Sequence, residues 1–352
     1  MGDASRAAAT RCRPLGERGR RAAAVTVLAA PDKFKGTAAA AAIAGAIVAG
    51  ARAAGREGRA LPLADGGEGT LEAFGGANRT STVTGPLGRP VAARWRLDGP
   101  LAVIEMAEAS GLAAAGGAAA NDPLAATTRG TGELILEAVA AGARHLLVGV
   151  GGSATTDGGA GALDALGRRP FGELGIAVEV ACDVESAFTE AARLFGPQKG
   201  AHPAQVAALS ARLEALAVAY REEFGVELAA RPFSGAAGGL AGGLAALGAQ
   251  LRSGFTVVAE HLGLEEAVAA SELVVTGEGR LDAASFTGKV VGGVAALAER
   301  HGVPLLVVAG EADPAAAARV DVRSLTDRYG ERRARAEPLA LVRETVAEAL
   351  AR

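Results

Sequence analysis

Short apolar runs rich in β-branched residues recur along the chain, and most are followed by a stretch in which apolar residues return every three or four positions. Residues 23–29 (AAVTVLA) form the first such run and read as a buried parallel strand. A charged loop, Pro31-Asp32-Lys33-Phe34-Lys35-Gly36, comes next, and Thr37 is placed to cap an alanine-rich helix that reaches about residue 54. Similar units return later: a helix over 131–141 before a strand over 144–150, then a helix ending near 166 and a strand over 178–182. Further on come a strand over 273–276, a helix over 290–300, a strand over 304–309 and a closing helix over 339–351. A helix over 203–223 sets Leu209, Leu213, Leu216 and Tyr220 at helical spacing, which marks them as core. Between 80 and 107 the pattern changes: strands over 80–84, 91–97 and 101–107 follow one another without helices, the signature of an antiparallel patch. No repeat of fixed period is present. The pattern predicts an α/β chain with two units, one a parallel sheet and the other containing the antiparallel patch.

Length supports two domains, since 352 residues exceed the usual size of one. Composition changes how the core must be built. Half the residues are apolar but only 3% are aromatic, so small side chains fill it and elements pack closely. The net charge of −3, without a lysine-rich run or a stacking pattern of aromatics, argues against a nucleic-acid surface. Two cysteines, Cys12 and Cys182, do not make a disulfide framework, and they fit a reducing compartment such as the cytoplasm. Four scattered histidines lack metal-ligand spacing. The arginine-rich residues 1–21 read as a disordered extension, and the apolar run after them is too short and too strand-like for a secretory leader. No stretch approaches the length needed to span a bilayer.

Several strand-like runs end in loops that combine glycine with acids or bases. Glycine lets backbone amides approach an anion, and a helix start favours negative charge. The loop Gly151–Gly159 is the leading phosphate cradle: it follows a strand, opens a helix, and offers Gly151, Gly152, Ser153, Thr155, Thr156 and Gly158. Within it, Asp157 is a candidate for magnesium or for a helix cap. In the loop 65–69, Asp65 and Glu68 put two carboxylates within one turn of backbone, in reach of the work of a general base. Lys35, Lys199, Arg280 and Lys289 are the candidate cations around a phosphoryl group, and Asp282 stands ready to orient Arg280 or bind metal. Gly277 and Gly279 flank Glu278 at another strand end. A Walker A motif, a protein-kinase catalytic loop and a nucleophile elbow are all absent. The residues alone therefore specify an α/β enzyme that handles phosphate.

A series of blocks in this chain resembles the bacterial glycerate kinase family. They include residues 30–37 (APDKFKGT), 64–70 (ADGGEGT), 105–111 (EMAEASG), 128–133 (TRGTGE), 149–161 (GVGGSATTDGGAG), 181–184 (ACDV), 195–200 (FGPQKG) and 276–282 (TGEGRLD), in order from residue 24 to about 330. The resemblance implies transfer of the ATP γ-phosphate to a hydroxyl of D-glycerate with Mg2+, 2-phosphoglycerate being the favoured product. It also implies two α/β domains, one Rossmann-like and a second smaller one, with the active site in the cleft between them. On this reading residues 22–75, 120–200 and 270–352 make the Rossmann-like domain, and 76–119 with part of 201–269 the second. Asp65, Glu68, Lys35, Lys199, Arg280 and Asp282 are the candidate catalytic residues. Gly151, Gly152, Ser153, Thr155, Thr156, Gly158, Gly277, Gly279 and Lys289 are the candidates for the nucleotide, and Asp157 and Asp183 for the metal. The chain departs from the family between Leu166 and Val178, where it is short, and after Asp183, where Glu185-Ser186-Ala187-Phe188 replaces the usual stretch. A kinase of another small hydroxy acid, an isomerase or dehydratase of phospho-sugar acids, and a non-catalytic metabolite-binding protein are the competing readings. Neither a nucleic acid nor a membrane is an expected partner, and self-association is left open.

Overall fold

A computed structural model describes residues 25–351. The strands, in chain order, are β1 (Val25–Ala29), β2 (Gly58–Ala60), β3 (Arg79–Thr84), β4 (Pro90–Asp98), β5 (Leu101–Glu105) and β6 (His145–Gly149), followed by β7 (Ala177–Cys182), β8 (Gln250–Ser253), β9 (Ser271–Leu281), β10 (Leu305–Ala312) and β11 (Val322–Ser324). They form two sheets. One has five parallel strands in the order β11-β10-β9-β1-β2. The other has six, in the order β3-β4-β5-β6-β7-β8. In this second sheet β3, β4 and β5 pair antiparallel, and β5 to β8 run parallel. The chain thus starts the first sheet, builds the whole of the second, and returns to finish the first.

Both faces of β1 are covered, which is why its sequence is apolar without alternation. Val27 and Ala29 pack into a core with Ile43, Ile47, Leu341 and Val346, from the helices Ala40–Ala53 and Pro338–Leu350. Leu28 points the other way, toward Leu63, Phe255, Val268 and Val294. The second sheet carries the larger core. There Trp95, Ile104, Leu146, Val148, Val178 and Val180 meet Leu134, Leu163, Leu209 and Tyr220 from the helices on one face. The helix Gly254–Leu262 serves both units. Its Phe255 and Ala259 enter the core of the first sheet, and its Val257 and Val258 pack with Val103, Leu147 and Ala181 of the second.

Two expectations change. The first helix begins at Ala40 with Ala39 in the cap position, and no side chain caps it. The Thr37 hydroxyl instead donates to Phe34 O (3.0 Å), closing a turn before the helix. The domain division also shifts. Strands β6 and β7, within residues 120–200, belong to the second sheet, where His145 pairs with Leu101 and Val178 with Leu146. A buried parallel strand reads the same in either sheet, so periodicity could not assign it. The expected disorder of residues 1–21 lies outside the described residues.

Candidate active site

Strands from both sheets point their carboxyl ends into one cavity of about 360 Å3. Its wall takes Asp32, Lys33 and Lys35 from the loop after β1, Gly151 and Gly152 from the loop after β6, and Asp183 from the loop after β7. Glu278, Gly279, Arg280 and Asp282 come from the end of β9 and beyond, and Lys289 from the start of the helix Val290–His301. Asp65 and Glu68 close it. Ligands of open α/β sheets gather at such strand ends.

The loop 65–69 crosses from the first unit to the top of the second sheet, and only bare backbone fits beneath it. A Cβ on Gly66, whose φ is +89°, would lie 2.5 Å from Ala181 O, and one on Gly254 would lie 1.9 Å from Asp65 O. Glu105, at the end of β5, fixes the far side of the loop. Its Oε1 accepts from Gly69 N (3.0 Å) and Leu71 N (2.8 Å), serving the start of the short helix Thr70–Ala73. Burial pushes the Glu105 carboxyl up to about 7, against the help of these two amides. On the near side Lys33 Nζ donates to Glu68 O (2.6 Å). A wider cavity of about 750 Å3 opens beside this loop, lined by Lys33, Lys35, Glu68, Glu105 and Arg94. There Arg94 is clamped by Glu108, with Nε and Nη2 donating at 3.1 and 2.6 Å.

Charge at the 360 Å3 cavity is crowded. Six carboxylates and four cationic side chains line it. Burial raises the Asp32 carboxyl to about 6; neighbouring Lys33 pulls it down and Asp65 pushes it further up. The Asp183 carboxyl is raised as well, by burial first and then by Asp65. Burial likewise lifts Glu278 to about 7, and its Oε1 has no hydrogen-bond partner among the described residues. Among the described residues no group of three or more histidines, cysteines or acids converges as a metal cage. A crowded acidic wall without a cage suits a divalent ion held by one or two carboxylates and completed by phosphate oxygens and water, which is the habit of magnesium.

The glycine-rich loop divides in two. Gly151, Gly152 and Ser153 line cavities. Thr155 and Thr156 are fully buried, and their hydroxyls have no partner among the described residues. Gly158 is tied into the core, its N–H donating to Gly238 O (3.1 Å) and its carbonyl accepting from the Tyr220 hydroxyl (3.2 Å). Asp157, a metal candidate in the sequence, is held by the protein's own donors. Thr128 N and Thr128 Oγ1 both donate to its Oδ2 at 2.8 Å, Gly161 N donates there at 3.2 Å, and Gly159 N donates to Oδ1 at 3.1 Å. Both oxygens accept from the protein, and the side chain braces the helix Ala160–Ala165 against the helix Arg129–Ala140.

The other candidates separate as well. Lys199 is 3% exposed and donates to Ser153 Oγ and Thr155 O, both at 2.7 Å. Burial brings its ammonium down to about 7, although Asp157 acts in the opposite sense. Arg280 is exposed and pairs with Asp313 at 3.3 Å. Asp282 caps the turn after β9, accepting from Ala284 N at 2.8 Å, while still edging the cavity. Gly277 lies inside β9, where a Cβ would strike Val308 O at 2.2 Å, so its smallness serves strand packing. The structure adds Asp32, Lys33, Glu105 and Glu278, which sequence reasoning did not select. All four stand inside motifs already singled out, and the signal was the density of charge in an otherwise apolar strand end.

The fold and this cleft define an α/β enzyme whose charged groups are gathered from two sheets. The profile of the glycerate kinase family matches residues 27–176 and 172–331. Glycerate 2-kinase of Escherichia coli (strain K12) is 41% identical over 323 residues, covering 81% of this chain and 84% of that protein. Glycerate kinase of Bacillus subtilis (strain 168) is 39% identical over 323 residues, with 81% and 84% covered. A crystal structure from Salmonella typhimurium LT2, designated a glycerate kinase 2, superposes with a TM-score of 0.78 at 38% identity, covering 93% of this chain and 98% of that one. The chain belongs to the glycerate kinase family, and it is a kinase.

Proposed function

We propose that this kinase transfers the γ-phosphoryl group of ATP to a hydroxyl of D-glycerate, giving 2-phosphoglycerate and ADP. The observation that carries the proposal is the 360 Å3 cavity in which Asp65, Asp183, Lys33, Lys35 and Lys289 meet from both sheets. Phosphoryl transfer needs little covalent help from a protein; it needs positioning and charge stabilisation, and this wall supplies groups for both. Asp65 takes the proton from the attacking hydroxyl, as a carboxylate can when the hydroxyl lies within hydrogen-bond reach. Lys33, Lys35 and Lys289 meet the negative charge that spreads over the phosphoryl oxygens. Asp183 is the carboxylate for a magnesium ion, which would neutralise phosphate charge when bound. Glu105 and Lys33 hold the loop 65–69 from either side, so Asp65 keeps its place. Arg280 edges the same wall and can reach an anion there once it leaves Asp313.

No helix among the described residues is long and apolar enough to cross a membrane. The buried free thiol of Cys182 accords with the reducing cytoplasm, the compartment we propose. The test is ADP release from ATP and magnesium with D-glycerate, with phosphorus NMR of the product. A signal from phosphate on the second carbon is the expected result. Signal from the third carbon would correct the product, and absence of turnover by folded protein would sink the reading.

A further inference from the structure

Beside the acidic cavity lies a second one of about 350 Å3 with the opposite balance of charge. Lys199 and Lys35 line it, Asp183 is its one acid among the described residues, and Ser153 and Gln198 add polar groups. We infer that this cavity is the subsite for the carboxylate of the acceptor acid, with Lys199 and Ser153 as its binding groups. The inference deepens the glycerate reading given above and rests on it.

Lys199 is buried without a carboxylate partner among the described residues, which is rare for a lysine. An ammonium has three donors, and two are used on Ser153 Oγ and Thr155 O. One donor is left for a ligand. Because Ser153 Oγ accepts from Lys199, its own O–H proton is available to donate into the cavity. The two groups sit side by side, as two oxygens of a carboxylate require.

Charge selects between the two anions of the reaction. At the 360 Å3 cavity carboxylates outnumber cations, so a phosphate chain enters with a divalent ion. At the Lys199 cavity cations outnumber acids, and a singly charged carboxylate needs no ion to enter. Lys35, Gly151, Gly152 and Asp183 belong to both walls. An acid anchored at Lys199 therefore carries its hydroxyls toward the seam where the phosphoryl group arrives.

The charge that bears on Lys199 is Asp157, buried behind the loop, and Lys35 and Asp183 line the same cavity wall. A carboxylate bound there adds a negative neighbour and favours the ammonium form. Binding of glycerate is then expected to take up a proton above neutral pH. Calorimetric titration of wild-type protein with D-glycerate in two buffers of different ionisation enthalpy, at pH 8, reads that uptake directly. A second comparison sets Lys199→Gln against wild type, measuring D-glycerate and Mg-ADP binding separately. Loss of one charged donor should weaken glycerate about 10- to 100-fold and leave ADP within about twofold. Weakened ADP with intact glycerate would assign the lysine to nucleotide phosphates and overturn the inference; so would unchanged binding of both. Should the variant fail to fold, proton uptake by the wild type decides alone, and its absence overturns the inference. Neither measurement needs turnover, so a kinase inactive on glycerate is told apart from a misplaced subsite.

Discussion

Residues 151–153 and 154–159 are two parts of one glycine-rich loop, each offering glycine and hydroxyl side chains, and they do opposite things. The first half faces the cleft, with Gly151 and Gly152 on the wall of both charged cavities. The second half is folded inward: Thr155 and Thr156 are fully buried, and Asp157 is held by four donors. Hydroxyls, glycines and an acid look like a phosphate cradle wherever they occur. Whether they touch a ligand depends on which side of the loop the core occupies. Lys199 stands at the boundary and grips both halves, through Ser153 Oγ and Thr155 O.

Substitutions can break this contrast. The largest effect is expected at the inward half. Asp157→Ala strands buried donors from Thr128, Gly159 and Gly161, and should cost about 3 kcal/mol or more of stability in chemical denaturation. A change below about 1 kcal/mol would show that the inward half is not structural. Across the cleft from the outward half, Asp65→Asn should lower kcat by about 100-fold while the denaturation midpoint stays near that of wild type. Turnover close to wild type would remove Asp65 from the role of base.

Lys199 sharpens the comparison through pH. Its folded value of about 7 lies below the ordinary 10.5 of an unfolded chain. Between those values the unfolded chain binds more protons, so stability should rise with pH through that window. Lys199→Met should lack that rise, so the stability of wild type relative to the variant should increase by roughly 1 kcal/mol per pH unit between pH 7 and 9. Parallel curves would mean that the buried lysine does not titrate there. The smallest effect is expected at Glu105. In Glu105→Gln the amide oxygen can still accept from Gly69 and Leu71, so kcat at neutral pH should stay within about threefold. The folded Glu105 value of about 7 is above its ordinary 4.5, so wild type should lose stability relative to this variant as pH rises from 4.5 to 7. Glu105→Ala removes both acceptors, and a much larger loss of kcat than in Glu105→Gln would mark Glu105 as the residue that positions the loop.

Much of the fold was legible in the chain. Of the strand expected over 23–29, the described part appears as β1 (Val25–Ala29); the patch over 80–107 appears as the antiparallel β3, β4 and β5, and the helix over 203–223 as Pro203–Phe224 with Leu209, Leu213 and Tyr220 buried. These depend on local periodicity, which sequence carries directly. The loops at strand ends were equally visible, because glycine breaks the apolar run and the charge beside it must face solvent or a ligand. Sheet membership was not. β6 and β7 are apolar strands between helices, and only their pairing with β5 tells that they belong to the second sheet.

The chain by itself determined its elements, its small-residue core, its charged strand-end loops and, through whole blocks of residues, its family. The tertiary structure alone decided which charges meet. Asp32 and Asp183 are 151 positions apart in the chain, yet both feel Asp65 across one cavity. Asp157, four residues beyond Ser153, is sealed behind the same loop. Burial and the field of neighbours set what an ionisable group can do, and both come from residues distant in sequence. Charge in a loop announces chemistry; the direction in which the loop packs assigns it.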